Sequence, residues 1–163
     1  MPDDPRAIIV IGSSSDAQFA EGIRQHLQDL SVAAEMRVAS AHKSARHLLD
    51  MLAVYEAEGG PRVYIAVAGR SNALAGLIDA NVAAPVIACP PYSERFGGAD
   101  IFSSLRMPSG IGPMVVLEPE NAALAAAKIL GLVQPSLQDS VRALQREHQL
   151  RIVADDQRMQ EST

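Results

Sequence analysis

Five short apolar runs, at residues 7–11, 32–38, 63–68, 86–89 and 114–117, recur along this chain, and helical periodicity fills the stretches between them. Runs of that length, rich in valine and isoleucine and bounded by turn residues, read as buried strands. Strands alternating with helices build a parallel sheet, because right-handed crossovers lay helices over both of its faces. The pattern predicts an α/β fold, a three-layer α/β/α sandwich around a parallel, flavodoxin-like sheet with an added C-terminal helix. At 163 residues the chain suits a single core-bearing domain.

Between the runs, the first helix is expected from Asp16, burying Phe19, Ala20, Ile23, Leu27 and Leu30, with Ser15 and Gln18 spaced as a capping box. A second spans 44–58 with Leu48, Leu49, Leu52 and Tyr55 inward, and Gly59-Gly60-Pro61 stops it. A third covers 72–82 and a fourth 120–130. These place an α/β domain at 1–132. Residues 133–163 form a helical extension capped at Ser136, whose broken stripe of Leu137, Val141, Leu144 and Ile152 packs on its own domain or on a neighbouring subunit.

In a parallel sheet all strands end on one edge, so the loops that follow them meet there, and ligands bind along that edge. The loops are Gly12-Ser13-Ser14-Ser15-Asp16, Ser40-Ala41-His42-Lys43, Gly69-Arg70-Ser71-Asn72 and Pro90-Pro91-Tyr92, with 103–110 expected to join them. In the first, a glycine that admits close backbone approach, free helix-start amides and serine hydroxyls suit a phosphate. A plain strand-to-helix turn is equally compatible with those residues. Neither a Walker motif nor GxGxxG is present, which disfavours a nucleoside triphosphate or a dinucleotide. Asp16 would repel a phosphate, so its natural partner in a ligand is a sugar hydroxyl.

His42 follows a strand beside Ser40 and Lys43, and imidazole is the side chain best suited to proton transfer near neutral pH. A solvated or structural loop histidine remains the alternative. Lys43, Arg70 and Arg106 put three cations on one edge of a chain whose formal net charge is -5, which suggests a small anionic substrate. That acidic balance also excludes nucleic acid as a partner. His26, His47 and His148 fall on helices without metal-site spacing, so no metal and no cofactor are expected. Cys89, the only cysteine, allows no internal disulfide and reads as filler beneath the loops. No apolar run reaches the roughly 18 residues of a membrane span, and the opening MPDDPR lacks the parts of a secretory signal. A cytoplasmic location and no membrane partner are the expectations.

Taken together, Gly12-Ser13-x-Ser15-Asp16, Ser40-Ala41-His42, the loop at Gly69 and Pro108-Ser109-Gly110 make residues 7–132 resemble the purine-biosynthetic aminoimidazole ribonucleotide carboxylases and mutases, the PurE family. Mutases of that family carry His-Arg, Gly-Gly-Ala-Ala-His and Met-Pro-Gly/Arg-Gly at three of these places. His42-Lys43, Ala68-Gly69-Arg70-Ser71-Asn72 and the 103–110 segment instead look like the direct carboxylases. Ser44-Ala45 departs from the Gly-Pro usual in the animal proteins, and without their fused synthetase domain the chain is expected to be a stand-alone enzyme.

The resemblance implies a reversible, ATP-independent carboxylation of 5-aminoimidazole ribonucleotide (AIR) by carbon dioxide to 4-carboxy-5-aminoimidazole ribonucleotide (CAIR). It makes His42 the catalytic acid/base, Ser13, Ser15 and Lys43 the phosphate holders, Asp16 the ribose contact, and Ser40 the shaper of the His42 loop. Gly12, Gly69, Arg70 and Ser71 complete the substrate site, and Lys43, Ser71 and Arg106 are candidates for contact with carbon dioxide or the new carboxylate. Homo-oligomers, usually octamers with sites near subunit boundaries, come with the family. The N5-carboxyaminoimidazole ribonucleotide mutase reaction on the same fold is the nearest rival, and a non-catalytic ribonucleotide-binding module is a rival of another class.

Overall fold

Side chains alternate across a strand, and in β1 (Arg6–Ile11) both alternating sets are apolar, so this strand is built to be covered on both faces. Ala7, Ile9 and Ile11 pack into one core; Ile8 and Val10 pack into another on the opposite side of the sheet. β3 (Arg62–Val67) repeats the device, with Val63, Ile65 and Val67 on the first face and Tyr64 and Ala66 on the second. The structure, a computed structural model, describes residues 4–161.

Among the described residues β1, β2 (Ala33–Val38), β3, β4 (Val86–Ala88) and β5 (Met114–Val115) form one all-parallel sheet in the order β2-β1-β3-β4-β5. That is the flavodoxin-like order. α1 (Ala17–Asp29), α5 (Pro119–Leu130) and the start of α6 (Pro135–Glu161) cover the first face; α2 (Ala45–Glu58) and α3 (Ala73–Asp79) cover the second. The three-layer architecture expected from the sequence is the one observed.

Several local expectations need correction. The cap near the first helix is Ser13, not Ser15: residues 14–16 turn as a 3₁₀ segment ahead of α1, and the Ser13 hydroxyl accepts from the Ser15 amide at 3.3 Å. No Ser15–Gln18 capping box forms, because the tighter turn moves the cap upstream. On α2 the fully buried set is Leu48, Met51, Leu52 and Tyr55, while Leu49 is only half-buried. β2 lies at the sheet edge and is largely open, with Glu35 and Arg37 on it. Charged side chains on an edge strand discourage pairing with another chain. α3 ends at Asp79, three residues before its expected end.

At the C-terminal end, Pro135 occupies the first turn of α6, so Ser136 lies inside the helix rather than capping it. Leu137 and Val141 are buried against the first core and Leu144 packs beside them. Beyond that the stripe loses its cover, and Leu150, Ile152, Val153 and Met159 are exposed. Gly131 sits where α5 meets α6: a Cβ there would come within 3.0 Å of the Ala127 carbonyl and of Gln138.

A polar tie crosses the second core at Tyr64. Buried Tyr64 donates to Glu56 Oε1 at 3.1 Å, and Glu56 Oε2 accepts from the Ala83 amide at 3.1 Å, joining α2, β3 and the turn before β4. Burial, reinforced by the Glu56 charge, raises the phenol's pKa well above its ordinary value. Tyr64→Phe is expected to cost about 1 kcal/mol in denaturant unfolding. The Glu56–Ala83 bond survives that change.

Candidate active site

Four loops leave the carboxyl ends of β1 to β4 and enclose a cleft of about 640 Å³. It lies between β1 and β3, where successive strands switch from one side of β1 to the other, the topological position at which doubly wound sheets open a crevice. Gly12, Ser13, Ser15 and Asp16 come from the first loop, Ser40, His42 and Lys43 from the second, Ala68, Gly69, Arg70 and Ser71 from the third. The fourth adds Pro91, Tyr92 and Ser93; the sequence places the loop of the first two on this edge without a role, and Ser93 is new to the site. Arg106 does not line the cleft; it is exposed at the end of the short helix α4 (Phe102–Leu105). The cation trio expected on this edge is therefore a pair within the cleft.

Each loop is held by its own chemistry. The Gly12 amide extends the β1–β3 ladder by donating to Val67 at 2.9 Å, and a Cβ on Gly12 would stand 3.4 Å from that of Ala68, leaving a closely approached backbone. Ser13 then turns the chain, and the Ser15 hydroxyl donates to Ser13 Oγ at 3.1 Å. In the second loop, Ser40 Oγ accepts from the Lys43 amide at 3.2 Å, and Ser44 Oγ accepts from the Ser40 amide at 2.9 Å. Two hydroxyls thus close a turn whose tip presents His42. His42 is exposed on the cleft wall, and its imidazole enters no hydrogen bond among the described residues. A structural histidine would be engaged; this one faces the cleft.

The cleft perturbs the carboxyl of Asp16. Burial raises its carboxyl pKa, against the lowering effects of the Ser15 hydrogen bond and the nearby Arg70 charge. The folded protein holds this proton more tightly than the unfolded chain. Its contribution to stability is therefore present below the ordinary carboxylate range and is lost as pH rises through the folded value. Asp16→Asn is expected to gain on the parent protein as pH goes from acid to neutral, by well under about 1 kcal/mol because the group is only partly buried. Thermal melts of the two proteins across that range check the sign.

Cys89 is fully buried beneath the loops, and its Sγ donates to the Leu117 carbonyl at 3.6 Å. Burial, then the Glu118 charge, pushes its thiol pKa up to about 12, so it is a space-filler rather than a nucleophile. Among the described residues no cluster of three or more His, Cys, Asp or Glu is placed to hold a metal ion. No described helix is long and apolar enough to cross a membrane. A second pocket of about 420 Å³ opens at the other end of the sheet around Gly59, Gly60, Leu132 and Val133. Its lining is mostly apolar, with no imidazole and no serine-rich turn.

A family model described as AIR carboxylase matches residues 6–150, a span that reaches into α6. A phosphoribosylaminoimidazole carboxylase of Treponema denticola is 49% identical over 155 residues, covering 95% of this chain and 98% of that protein. One of Archaeoglobus fulgidus is 49% identical over 154 residues, covering 94% of this chain and 84% of its own. The crystal structure of Treponema denticola PurE superposes with a TM-score of 0.93 at 49% identity, covering 94% of this chain and 98% of that one.

Proposed function

Because the chain belongs to the AIR carboxylase family, we propose that it is a phosphoribosylaminoimidazole carboxylase of purine biosynthesis, joining AIR and carbon dioxide reversibly to give CAIR without ATP. One observation carries the reading: a serine-rich turn, a free imidazole and two cations from separate loops line one nucleotide-sized cleft. Phosphate binds at the hydroxyls of Ser13 and Ser15 with Lys43, and the ribose hydroxyls bind Asp16. The ring then lies over the Gly12 backbone toward Gly69.

Carbon 4 of the aminoimidazole is enamine-like and attacks the carbon of carbon dioxide, forming the new C–C bond. The ring carbon then bears both hydrogen and carboxylate. His42 takes that proton, the C–H electron pair returns to the ring and aromaticity is restored; decarboxylation runs the same path backward with His42 as acid. Donors that grip the carboxylate more strongly than the neutral gas lower the barrier, a part taken by Ser71 and the amides beside Gly69, which line the same cleft. No step requires a cofactor.

The enzyme works in the cytoplasm as a homo-oligomer, for which an octamer is the form proposed. Its support is the row of exposed apolar residues on the second half of α6 and around Tyr92, Phe96 and Phe102. Light scattering of the purified protein reads the assembly.

The decisive assay omits ATP and offers AIR with bicarbonate in one tube and the N5-carboxylated carbamate in another, following ring carboxylation. Rapid use of AIR is expected. Preference for the carbamate would make the protein a mutase on the same scaffold.

A further inference from the structure

Arg70 is one of two non-glycine residues with positive φ among those described, at 60°, a conformation that a residue bearing a Cβ avoids unless neighbours impose it. The neighbours are identifiable. Asp100 Oδ2 accepts from the Arg70 amide at 3.1 Å. Ser103 Oγ accepts from the Asn72 amide at 3.0 Å and donates its one proton toward the carbonyls of Arg70, 3.0 Å away, and Asp100, 2.8 Å away. Arg70 and Asn72 are thus fixed on either side of Ser71 by side chains of a segment that does not itself line the cleft. Ser71, by contrast, is exposed in the cleft wall.

We propose that Asp100 and Ser103 are positioning residues for the reaction: they hold Arg70 in its left-handed conformation within the 69–71 turn and so aim Ser71 and the adjoining amides at the carboxylate being formed. The proposal rests on the reaction assigned above. It separates two jobs within one cleft, since the phosphate turn at 12–16 and Lys43 take no part in this clamp. Damage to the clamp should therefore fall on turnover rather than on nucleotide capture.

The test compares Ser103→Ala with Ser103→Thr, and Asp100→Ala with Asp100→Asn, by steady-state carboxylation of AIR and by hydrogen exchange of the 69–75 segment. Ser103→Ala and Asp100→Ala are expected to lower kcat about 10- to 100-fold, with KM for AIR changed less than about 2-fold. Exchange at the Arg70 and Asn72 amides should quicken roughly 10-fold. Threonine keeps the hydroxyl and asparagine keeps an acceptor, so both should restore most of the turnover and the protection. Should Ser103→Ala fail to fold, the Asp100 pair supplies the same comparison. Unaltered exchange, a KM that moves as much as kcat, or failure of both conservative variants to restore turnover would overturn the proposal. A parent protein that carboxylates nothing would sink the assigned reaction instead, and the exchange arm would still decide whether the clamp holds the turn.

Discussion

Replacing His42 by asparagine is expected to lower the rate of AIR carboxylation by about 10²- to 10⁴-fold, the usual worth of a positioned acid or base. Binding of the nucleotide should barely change. Asparagine reproduces the size and one polar atom of the imidazole but cannot take up a proton near neutral pH, so the variant isolates proton transfer from shape. The site favours such a clean result: the ring is exposed on the cleft wall, and the turn beneath it is closed by Ser40 and Ser44, not by the imidazole itself. Removing it leaves no buried group unpaired. Turnover assays beside calorimetric titration with AIR separate the two effects. A variant that keeps near-parental turnover would remove His42 from the chemistry, and equal, negligible turnover in both proteins with intact binding would favour a ribonucleotide-binding module.

That the cleft could be anticipated from sequence has a physical basis. β1 and β3 are apolar on both faces, which only a sheet covered twice can satisfy, and a parallel sheet sends all its following loops to one edge. Five parallel strands bring Ser13, His42, Lys43 and Ser71 together by topology alone. Details set by side-chain geometry did not follow. Whether Ser13 or Ser15 caps the first turn depends on a 3₁₀ segment that hydrophobic periodicity does not register. Its composition groups the glycine-, proline- and serine-rich segment of Arg106 with the cleft, but loop composition does not give loop direction, and Arg106 is exposed and does not line the cleft. Asp100 and Ser103 were invisible for a further reason: they meet Arg70 and Asn72 across about thirty residues of sequence, through bonds to backbone atoms that no motif spells out.

Asn72 is where that hidden geometry weighs most on stability, and Asn72→Ala is expected to cost about 2 to 4 kcal/mol. The side chain is 2% exposed and works at both ends. Its Oδ1 caps α3 by accepting from the Ala75 amide at 3.3 Å, while its Nδ2 donates to Ser104 Oγ at 2.9 Å. Losing an N-cap costs about 0.5 to 2 kcal/mol. Ser104 is equally buried, so its hydroxyl would lose an enclosed partner at a further cost of about 1 to 3 kcal/mol, and because the two terms share one side chain they do not add in full. Asn72→Ser divides the two effects: a serine hydroxyl can cap the helix but lacks the reach and the amide to serve Ser104. Urea unfolding should therefore rank the parent protein first, serine next and alanine last, with the serine variant recovering the capping share alone. Equal losses for serine and alanine would show that the buried Ser104 contact, not the cap, fixes the start of α3 beneath the cleft.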